Sequence, residues 1–309
     1  MRHFDSLLRL SEDEVREIMR ISADLKARWN QGARPQLLEG RVLTLLFEKP
    51  SLRTRISFEA AITHLGGNSV FMSCTEAGLN GRESLADVAR VLAGYSDWIA
   101  MRTFSHQLVE DFMRYSGCPV INGLSDGAHP CQALADLFTI QETFGSLAGK
   151  RLTYIGDGNN VARSLAVGAA LMKMPFIIAS PLGYELTPQF LSMLKQRIPT
   201  ADITLTPDPA AAVARSDVVY VDVWTSMGQE NEHEKRKAVF APYQVNAKLM
   251  AAAPRSARFM HCLPAKRGME VTDDVMDGAQ SIVFEQAENR MHIAKGLLVW
   301  LLGSDPIKG

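Results

Sequence analysis

Short apolar segments alternate with amphipathic segments along almost the whole chain. Apolar, β-branched runs that indicate strands lie at residues 42–47, 69–72, 98–101, 120–121, 152–155, 176–179, 203–205, 218–221 and 258–260. Between them apolar residues recur at helical spacing, for example over residues 57–65, 84–92, 130–144 and 161–172. Strands that alternate with helices are typical of parallel sheets with crossover helices.

The two series of strands predict an α/β fold with two doubly wound parallel-sheet domains and the active site in the cleft between them. Residues 145–149 follow a long helical segment and precede a new strand, so we expect the boundary there. The predicted domains are residues 1–145 and 146–287, with a C-terminal helix, 288–309, that packs back on the first domain. Ligands of open α/β sheets bind beyond the carboxyl ends of strands, so residues that follow strands are the candidates for function.

Composition and charge narrow the class of protein. The chain has 309 residues, of which 47% are hydrophobic and 22% charged, with a formal net charge of −1. Nucleic acid and anionic membranes attract a basic surplus that this chain lacks, so neither is an expected partner. No apolar run has the length to span a bilayer, and the N-terminal segment lacks the apolar core of a signal peptide. A cytoplasmic location is therefore expected.

The four cysteines show no metal-binding pattern. Cys74, Cys118, Cys131 and Cys262 form no CxxC pair and no metal-ligand spacing, so we predict no metal site. The first three are expected to be buried thiols of a reducing compartment. Cys262 differs because it directly follows a predicted strand.

A loop rich in hydroxyl and guanidinium groups follows the first strand. Its sequence is Ser51-Leu52-Arg53-Thr54-Arg55, and a helical pattern begins at once. If Ser51 caps that helix, backbone N–H groups, hydroxyls and arginines all favour an anion there. The planar fork of arginine matches phosphate. A capped helix with solvated arginines is the alternative reading.

Two further polar segments favour a small ligand with a carbonyl group. Arg102 follows the third strand, and His129-Pro130-Cys131-Gln132 opens a helix in which Pro130 suits the first position. His129 and Gln132 lie one turn apart and can point at one ligand. A neutral histidine that donates to a carbonyl oxygen, with a glutamine that accepts from an NH2 group, suits a carbamoyl group. A structural cap is the alternative role for His129.

Three segments of the second half also follow strands. They are Gly156-Asp157-Gly158-Asn159-Asn160, Asp222-Val223-Trp224-Thr225-Ser226-Met227-Gly228 and His261-Cys262-Leu263-Pro264. The first lacks the full spacing of a dinucleotide loop. An acid at a strand end, followed by a serine and a glycine-containing loop, can bind an ammonium group and a carboxylate together. The charged residues 229–239 are either a solvated loop or a mobile lid.

Taken together, Ser-x-Arg-Thr-Arg, Arg102 and His-Pro-x-Gln resemble the aspartate/ornithine carbamoyltransferase family over essentially the whole chain. The resemblance implies that carbamoyl phosphate is bound by Ser51, Leu52, Arg53, Thr54, Arg102, His129, Gln132, Cys262, Leu263 and Arg290. Asp-x-x-x-Ser-Met-Gly with His-Cys-Leu-Pro is similar to the ornithine-specific members. It implies that L-ornithine is bound by Asn160, Asp222, Ser226 and Met227.

The resemblance also implies the reaction and the assembly. The carbamoyl group would pass from carbamoyl phosphate to the side-chain amine of L-ornithine, giving L-citrulline and phosphate, in arginine metabolism. Catalytic roles are implied for Arg53, His129, Asp222 and Cys262, without a cofactor or a covalent intermediate. The expected assembly is a homotrimer or a higher assembly of trimers.

The chain departs from the family pattern at two positions. Leu52 stands where the family usually has threonine, and Gly78 where close relatives often have a glutamine that contacts a neighbouring subunit. Asn80 or Arg82 are the candidates to replace that glutamine.

Three alternative functions stay open at this stage. A carbamoyltransferase for N-acetylornithine would not need Asp222, and one for putrescine would not need Asn160 and Met227. A nucleotide-binding oxidoreductase would use the Gly156-Asp157-Gly158 loop but leaves the arginine loops unexplained. The third alternative is a non-catalytic paralogue that acts as a binding or regulatory subunit.

Overall fold

The computed structural model describes residues 1–225 and 230–303. The chain forms two compact units: Met1–Phe138 together with Glu288–Gly309, and Thr139–Ala287. The domain boundaries drawn from the sequence stay predictions.

The first unit contains a four-stranded parallel sheet. Its strands are β1 (Val42–Phe47), β2 (Asn68–Ser73), β3 (Trp98–Arg102) and β4 (Val120–Leu124), in the order β2-β1-β3-β4. Its helices are α1 (Glu12–Asn30), α2 (Leu52–His64), α3 (Leu85–Tyr95), α4 (His106–Tyr115) and the first part of α5 (Pro130–Phe144).

The second unit contains a five-stranded parallel sheet. Its strands are β5 (Leu152–Ile155), β6 (Phe176–Ala179), β7 (Ile203–Thr206), β8 (Val218–Val221) and β9 (Arg258–His261), in the order β7-β6-β5-β8-β9. Its helices are α6 (Asn160–Leu171), α7 (Pro188–Arg197), α8 (Pro209–Val213), α9 (His233–Phe240), α10 (Ala247–Ala252) and α11 (Asp273–Met276). The last helix, α12 (Val283–Leu301), starts in this unit and continues in the first.

Each sheet has one position where the strand order reverses. In the first sheet this point lies between β1 and β3, and in the second between β5 and β8. Loops that leave such a pair of strands diverge to opposite faces of the sheet and leave room for a ligand. Ser51 comes after β1, and Arg102 is the last residue of β3. In the second sheet Asn160 comes after β5, and Asp222 comes directly after β8. The topology therefore explains why the candidate residues come after these four strands.

All nine predicted strands are present, and the predicted fold class is confirmed. Ser11 caps α1 in the reciprocal arrangement with Glu14 that its sequence favours. Helix α2 begins at Leu52, directly after Ser51, so the helix includes the residues that precede the apolar pattern at 57–65. The described part of the predicted loop or lid, residues 230–239, is helical, with a 3-10 turn (Glu230–Glu232) before α9. Among the described residues, no helix combines the length and the apolar character needed to cross a membrane.

Candidate active site

The anion site predicted after β1 is a capped helix N-terminus. The Ser51 hydroxyl accepts a hydrogen bond of 3.1 Å from the backbone N–H of Thr54, which confirms Ser51 as the cap of α2. Leu52 is the first residue of the helix, and its side chain is 73% exposed. A leucine side chain offers no hydrogen bond, so position 52 can serve an anion only through its backbone N–H.

Three arginines of the first unit, Arg53, Arg102 and Arg290, form a cluster at this end of the helix. Arg102 Nη1 donates to the Thr54 hydroxyl at 3.3 Å. Arg290, on α12, donates from Nη1 to Gln132 Oε1, and the same Nη1 lies 3.5 Å from His129 Nε2. Burial and the positive charges of Arg290 and Arg53 lower the pKa of Arg102 to about 10. This concentration of like charge favours a multiply charged anion such as phosphate.

His129 is the neutral member of the cluster. It is 6% exposed, and burial followed by the charges of Arg290, Arg102 and Arg53 sets its pKa well below 6.5. A neutral imidazole can donate one N–H to a carbonyl oxygen. Gln132 is also buried, and its Nε2 donates to Asp136 Oδ1 at 2.8 Å. That bond fixes the orientation of the Gln132 amide on the first turn of α5.

Arg55 does not join the cluster, although it stands in the same sequence motif. Its Nε binds Glu59 at 2.9 Å, and its guanidinium lies 3.8 Å from the centre of the Phe71 ring. Only one of the two arginines in the loop, Arg53, therefore acts on His129 and Arg102.

In the second unit Asp222 is held by three donors. Its Oδ2 accepts from Asn159 Nδ2 at 2.9 Å, and its Oδ1 accepts from the Val223 N–H at 2.8 Å and the Cys262 thiol at 3.0 Å. The side chain is buried, with 8% exposed. These donors fix the direction of the side chain, and a carboxylate held in this way is suited to a cationic ligand.

Asn159 was not predicted as a functional residue. Its Oδ1 accepts from the N–H groups of Val161 and Ala162 and so caps α6, while its Nδ2 holds Asp222. Nothing in the local sequence links this asparagine to a residue 63 positions away. Asn160 is the first residue of α6 and is partly buried.

Arg236 is a second residue that sequence reasoning missed. It lies on α9 and is only 6% exposed, and its guanidinium binds Asp157 at 2.6 Å and Glu232 at 2.7 Å. The pair with Asp157 attaches α9 to the loop after β5, whereas the pair with Glu232 joins α9 to the turn directly before it. In the sequence Arg236 is one of many charged residues of the segment, and its burial has no local signal.

The residues after β9 form a turn with an unusual backbone. Cys262 is half-buried, whereas Cys74, Cys118 and Cys131 are buried free thiols. Leu263 has a φ of 57°, and the Leu263–Pro264 peptide bond is cis. The remaining predicted ornithine ligands, Ser226 and Met227, lie outside the described residues.

The backbone explains the glycine at position 78. Gly78 has a φ of 84°, and a Cβ atom there would lie 3.1 Å from the Arg82 guanidinium and from Glu83 Oε1. A glutamine would strain this conformation. Asn80 and Arg82 are exposed in the same turn, and Arg82 pairs with Glu83 at 3.1 Å.

Two groups of potential metal ligands occur among the described residues, Asp222–His261–Cys262 and Asp5–His106–Glu110. In the first, the thiol already donates to the carboxylate, and the imidazole contacts Glu270. In the second, Asp5 pairs with Arg9 and approaches His106. In both groups the donor residues other than Glu110 therefore already serve internal contacts.

Two family models match the chain in succession. The carbamoyl-P binding domain of aspartate/ornithine carbamoyltransferase matches residues 2–142, and the Asp/Orn binding domain matches residues 148–301. An ornithine carbamoyltransferase of Anoxybacillus flavithermus is 48% identical over 97% of this chain and 96% of its own length. One of Bacillus subtilis is 48% identical over 95% of this chain and 91% of its own.

Solved structures agree. Ornithine carbamoyltransferase from Pyrococcus furiosus has a TM-score of 0.94 and 44% identity, and the match covers 98% of this chain and 97% of that one. The anabolic enzyme from Campylobacter jejuni has a TM-score of 0.91 and 36% identity, with 98% and 99% covered.

Proposed function

Since this chain belongs to the aspartate/ornithine carbamoyltransferase family, we propose that its arginine cluster and its Asp222 site together carry out carbamoyl transfer to ornithine. The enzyme moves the carbamoyl group of carbamoyl phosphate to the side-chain amine of L-ornithine, giving L-citrulline and phosphate, a reaction of arginine metabolism. The observation that carries the proposal is the set of three arginines around a neutral His129.

The proposed carbamoyl phosphate ligands are mostly residues of the first unit. Phosphate is bound by the N-terminus of α2 and by arginine side chains. The carbamoyl oxygen accepts hydrogen bonds from Thr54, His129 and Arg290, and the carbamoyl NH2 donates to Gln132. The complete proposed set is Ser51, Leu52, Arg53, Thr54, Arg102, His129, Gln132, Arg290, Cys262 and Leu263.

The proposed ornithine ligands belong to the second unit. The buried Asp222 carboxylate binds the α-ammonium group, helped by Ser226. Asn160, at the start of α6, binds the α-carboxylate together with the backbone of Met227, because a helix N-terminus favours an anion. The pair of charges on L-ornithine thus matches one carboxylate and one helix N-terminus.

The chemistry needs positioning and electrostatics. The side-chain amine of ornithine has a pKa of about 10 in water, like that of lysine, and must lose a proton before it attacks. The neutral nitrogen then forms a bond to the carbamoyl carbon, the bond from that carbon to the phosphate oxygen breaks, and the nitrogen releases a second proton. Arg53, His129 and Arg290 stabilise the oxyanion that develops, and the positive cluster holds the leaving phosphate. Asp222, Cys262 and the leaving phosphate are the candidate proton acceptors.

We also propose that the protein is a cytoplasmic homotrimer. Free cysteines are typical of a reducing compartment. The edge strand β2 and helix α2 expose apolar side chains in the first unit, with Val70 48%, Ile56 51% and Leu52 73% exposed. Such a patch favours contact with a second copy. Sedimentation equilibrium giving three times the 34.1 kDa of one chain supports the trimer, and a monomer mass contradicts it.

The proposed function is tested by supplying carbamoyl phosphate with each of three amines and measuring the carbamoylated product and the phosphate released. We expect turnover with L-ornithine. With N-acetylornithine and putrescine we expect kcat/KM to be lower by about a hundredfold or more, because each analogue leaves a buried polar group of the site without its partner. If either analogue matches ornithine, the substrate assignment is wrong. If no amine is carbamoylated, the proposed role of the arginine cluster fails as well.

A further inference from the structure

The turn after β9 contains a leucine in a backbone conformation that leucine rarely adopts. Leu263 has a φ of 57°, in the left-handed region that favours glycine. A branched side chain there persists only when the surrounding structure holds the backbone in place. The neighbouring Cys262 donates its thiol to Asp222 at 3.0 Å. The conformation of Leu263 therefore affects the direction of a group at the proposed ornithine site.

A buried histidine holds this backbone. His261, the last residue of β9, accepts the Leu263 N–H at its Nδ1 at 2.8 Å. Because Nδ1 accepts this bond, the donor nitrogen of the ring is Nε2. That nitrogen lies 3.3 Å from Glu270 Oε1, to which it donates. His261 and Glu270 are 1% and 0% exposed, so water does not compete for these bonds.

Glu270 also holds the far end of the turn. Its Oε1 accepts the backbone N–H of Lys266, four residues before it in the chain. The near end is fixed by a further bond, in which the His261 N–H donates to Gln286 Oε1 at 2.9 Å. His261 thus accepts the N–H of Leu263, and Glu270 accepts the N–H of Lys266, so the two side chains hold both ends of residues 263–266. The side chains of His261 and Glu270 therefore both fix the backbone of residues 263–266.

We propose that His261 and Glu270 are positioning residues, which set the directions of the Cys262 thiol and the Leu263 backbone for the reaction. This inference rests on the proposed function, since it gives Cys262 and Leu263 their roles. The competing explanation is that His261 only satisfies a buried Glu270 carboxylate and supports the fold. The two explanations depend on different nitrogen atoms of the same ring, so they can be separated.

Two variants each keep one half of the imidazole. His261→Asn places an amide oxygen near the position of Nδ1, which keeps the acceptor for Leu263 and loses the donor to Glu270. His261→Gln places an amide near the position of Nε2, which keeps the donor to Glu270 and loses the acceptor for Leu263. If the histidine positions the turn, the Asn variant keeps most of the activity, and the Gln variant loses about ten- to a hundredfold in kcat. A purely structural role predicts the opposite order.

The reactivity of Cys262 gives a readout that does not depend on turnover. Cys262 is the half-buried cysteine, and the other three are buried. The rate of its reaction with a disulfide reagent such as DTNB, measured in the folded protein without substrate, reports the exposure and direction of the thiol. We expect a changed rate in His261→Gln and a rate near that of the wild type in His261→Asn. Melting temperature, measured alongside, shows which variants are folded.

Glu270→Gln keeps the test decisive if a histidine variant fails to fold. Its amide oxygen can accept from both His261 and Lys266, so the positioning role predicts a wild-type thiol rate and nearly unchanged kcat. A folded Glu270→Gln protein that loses activity as strongly as His261→Gln overturns the inference, as does greater loss in His261→Asn than in His261→Gln. If the wild type carbamoylates no amine but the thiol rates follow the expected order, the proposed function fails while the control of the turn by His261 stands.

Discussion

His129 and Arg102 lie in the same cluster, and burial and nearby charge act on them in the same direction. Both factors disfavour the charged form, so the pKa of His129 falls well below 6.5 and that of Arg102 falls to about 10. At neutral pH the histidine is therefore an uncharged donor, while Arg102 keeps its positive charge. The cluster thus offers a neutral N–H beside a concentrated positive charge, which matches the two ends of carbamoyl phosphate.

The role of Arg53 is tested by comparison with its neighbour on the same helix. We expect Arg53→Ala to lower kcat/KM by a hundredfold or more, about 3 kcal/mol of transition-state stabilisation, as for other oxyanion donors. The matched control is Arg55→Gln, because Arg55 is engaged with Glu59 and Phe71. Steady-state kinetics at several carbamoyl phosphate concentrations measure both. Equal losses in the two variants would show that Arg53 has no special contact with the ligand.

Asp222 and Asp217 lie at opposite ends of β8. Substitution of each in turn shows which end of the sheet binds ornithine. Asp222→Asn removes the charge that the proposed site places opposite the α-ammonium group, and we expect kcat/KM for ornithine to fall about a hundredfold. Asp217 binds Lys150 and the N–H of Arg151 at the other end of the strand. Asp217→Asn should lower stability and leave the preference for ornithine over N-acetylornithine unchanged. A wild-type preference in Asp222→Asn contradicts the assignment.

At the scale of elements, the start of α2 serves both the fold and the ligand. The Ser51 side chain accepts the Thr54 N–H, and the N–H groups that precede Thr54 in the first turn have no acceptor within the helix, which favours an anion there. The same serine is thus a cap and a proposed phosphate ligand. Stability and binding can be separated here because α1 has a serine cap of the same kind outside the site.

Ser51→Ala and Ser11→Ala remove one N-cap each. Each substitution should cost about 1 kcal/mol of unfolding free energy. Only Ser51→Ala should also weaken binding of carbamoyl phosphate, because it loses a hydroxyl at the anion site. Urea denaturation gives the first quantity, and calorimetric titration with carbamoyl phosphate gives the second. If both variants bind the ligand as the wild type does, Ser51 acts as a cap alone.

The sequence predicted strands better than short helices. The strands are buried apolar runs, and the periodicity that identifies them is local. Helices such as α8 (five residues) and α11 (four residues) are too short for a hydrophobic period to be visible. The position of candidate ligands at strand ends followed from the same pattern, since the carboxyl ends of parallel strands meet at one edge.

Contacts between distant positions were beyond the sequence. Glu270 and Arg236 are charged residues, and charge usually indicates exposure. Their burial depends on partners such as His261 and Asp157, which the fold brings to them. The link between Asn159 and Asp222 has the same origin. No local pattern of residue types encodes these pairs.

At the scale of the whole molecule, the chain returns to its first unit at the end. Helix α12 packs against α1, and Gly296 allows the close approach: a Cβ atom there would lie 2.0 Å from Ser22 Oγ and 2.8 Å from the Ile18 carbonyl oxygen. Five residues after Arg290 on the same helix, Lys295 extends its ammonium group to 4.3 Å from the centre of the Trp29 ring. The helix that supplies an arginine to the proposed site thus also carries a buried lysine.

Lys295→Met tests how this buried charge affects stability. Burial, followed by the charge of Arg34, lowers the pKa of Lys295 from 10.5 to about 8 in the folded protein. Between pH 8 and 10.5 the unfolded chain binds more protons at this residue than the folded one. The free energy of unfolding therefore rises with pH over this range and falls as the pH is lowered toward 8. At pH 7 the folded protein therefore carries the full cost of a buried ammonium, which methionine removes while it keeps contact with the indole ring.

We expect the melting temperature of the Lys295→Met variant to exceed that of the wild type at pH 7, with a difference that shrinks between pH 8 and 10.5. Lys248→Met, on the exposed side of α10, is the control for removal of one surface charge. A difference between Lys295→Met and the wild type that stays constant over this pH range would mean that Lys295 titrates alike in the folded and unfolded chains.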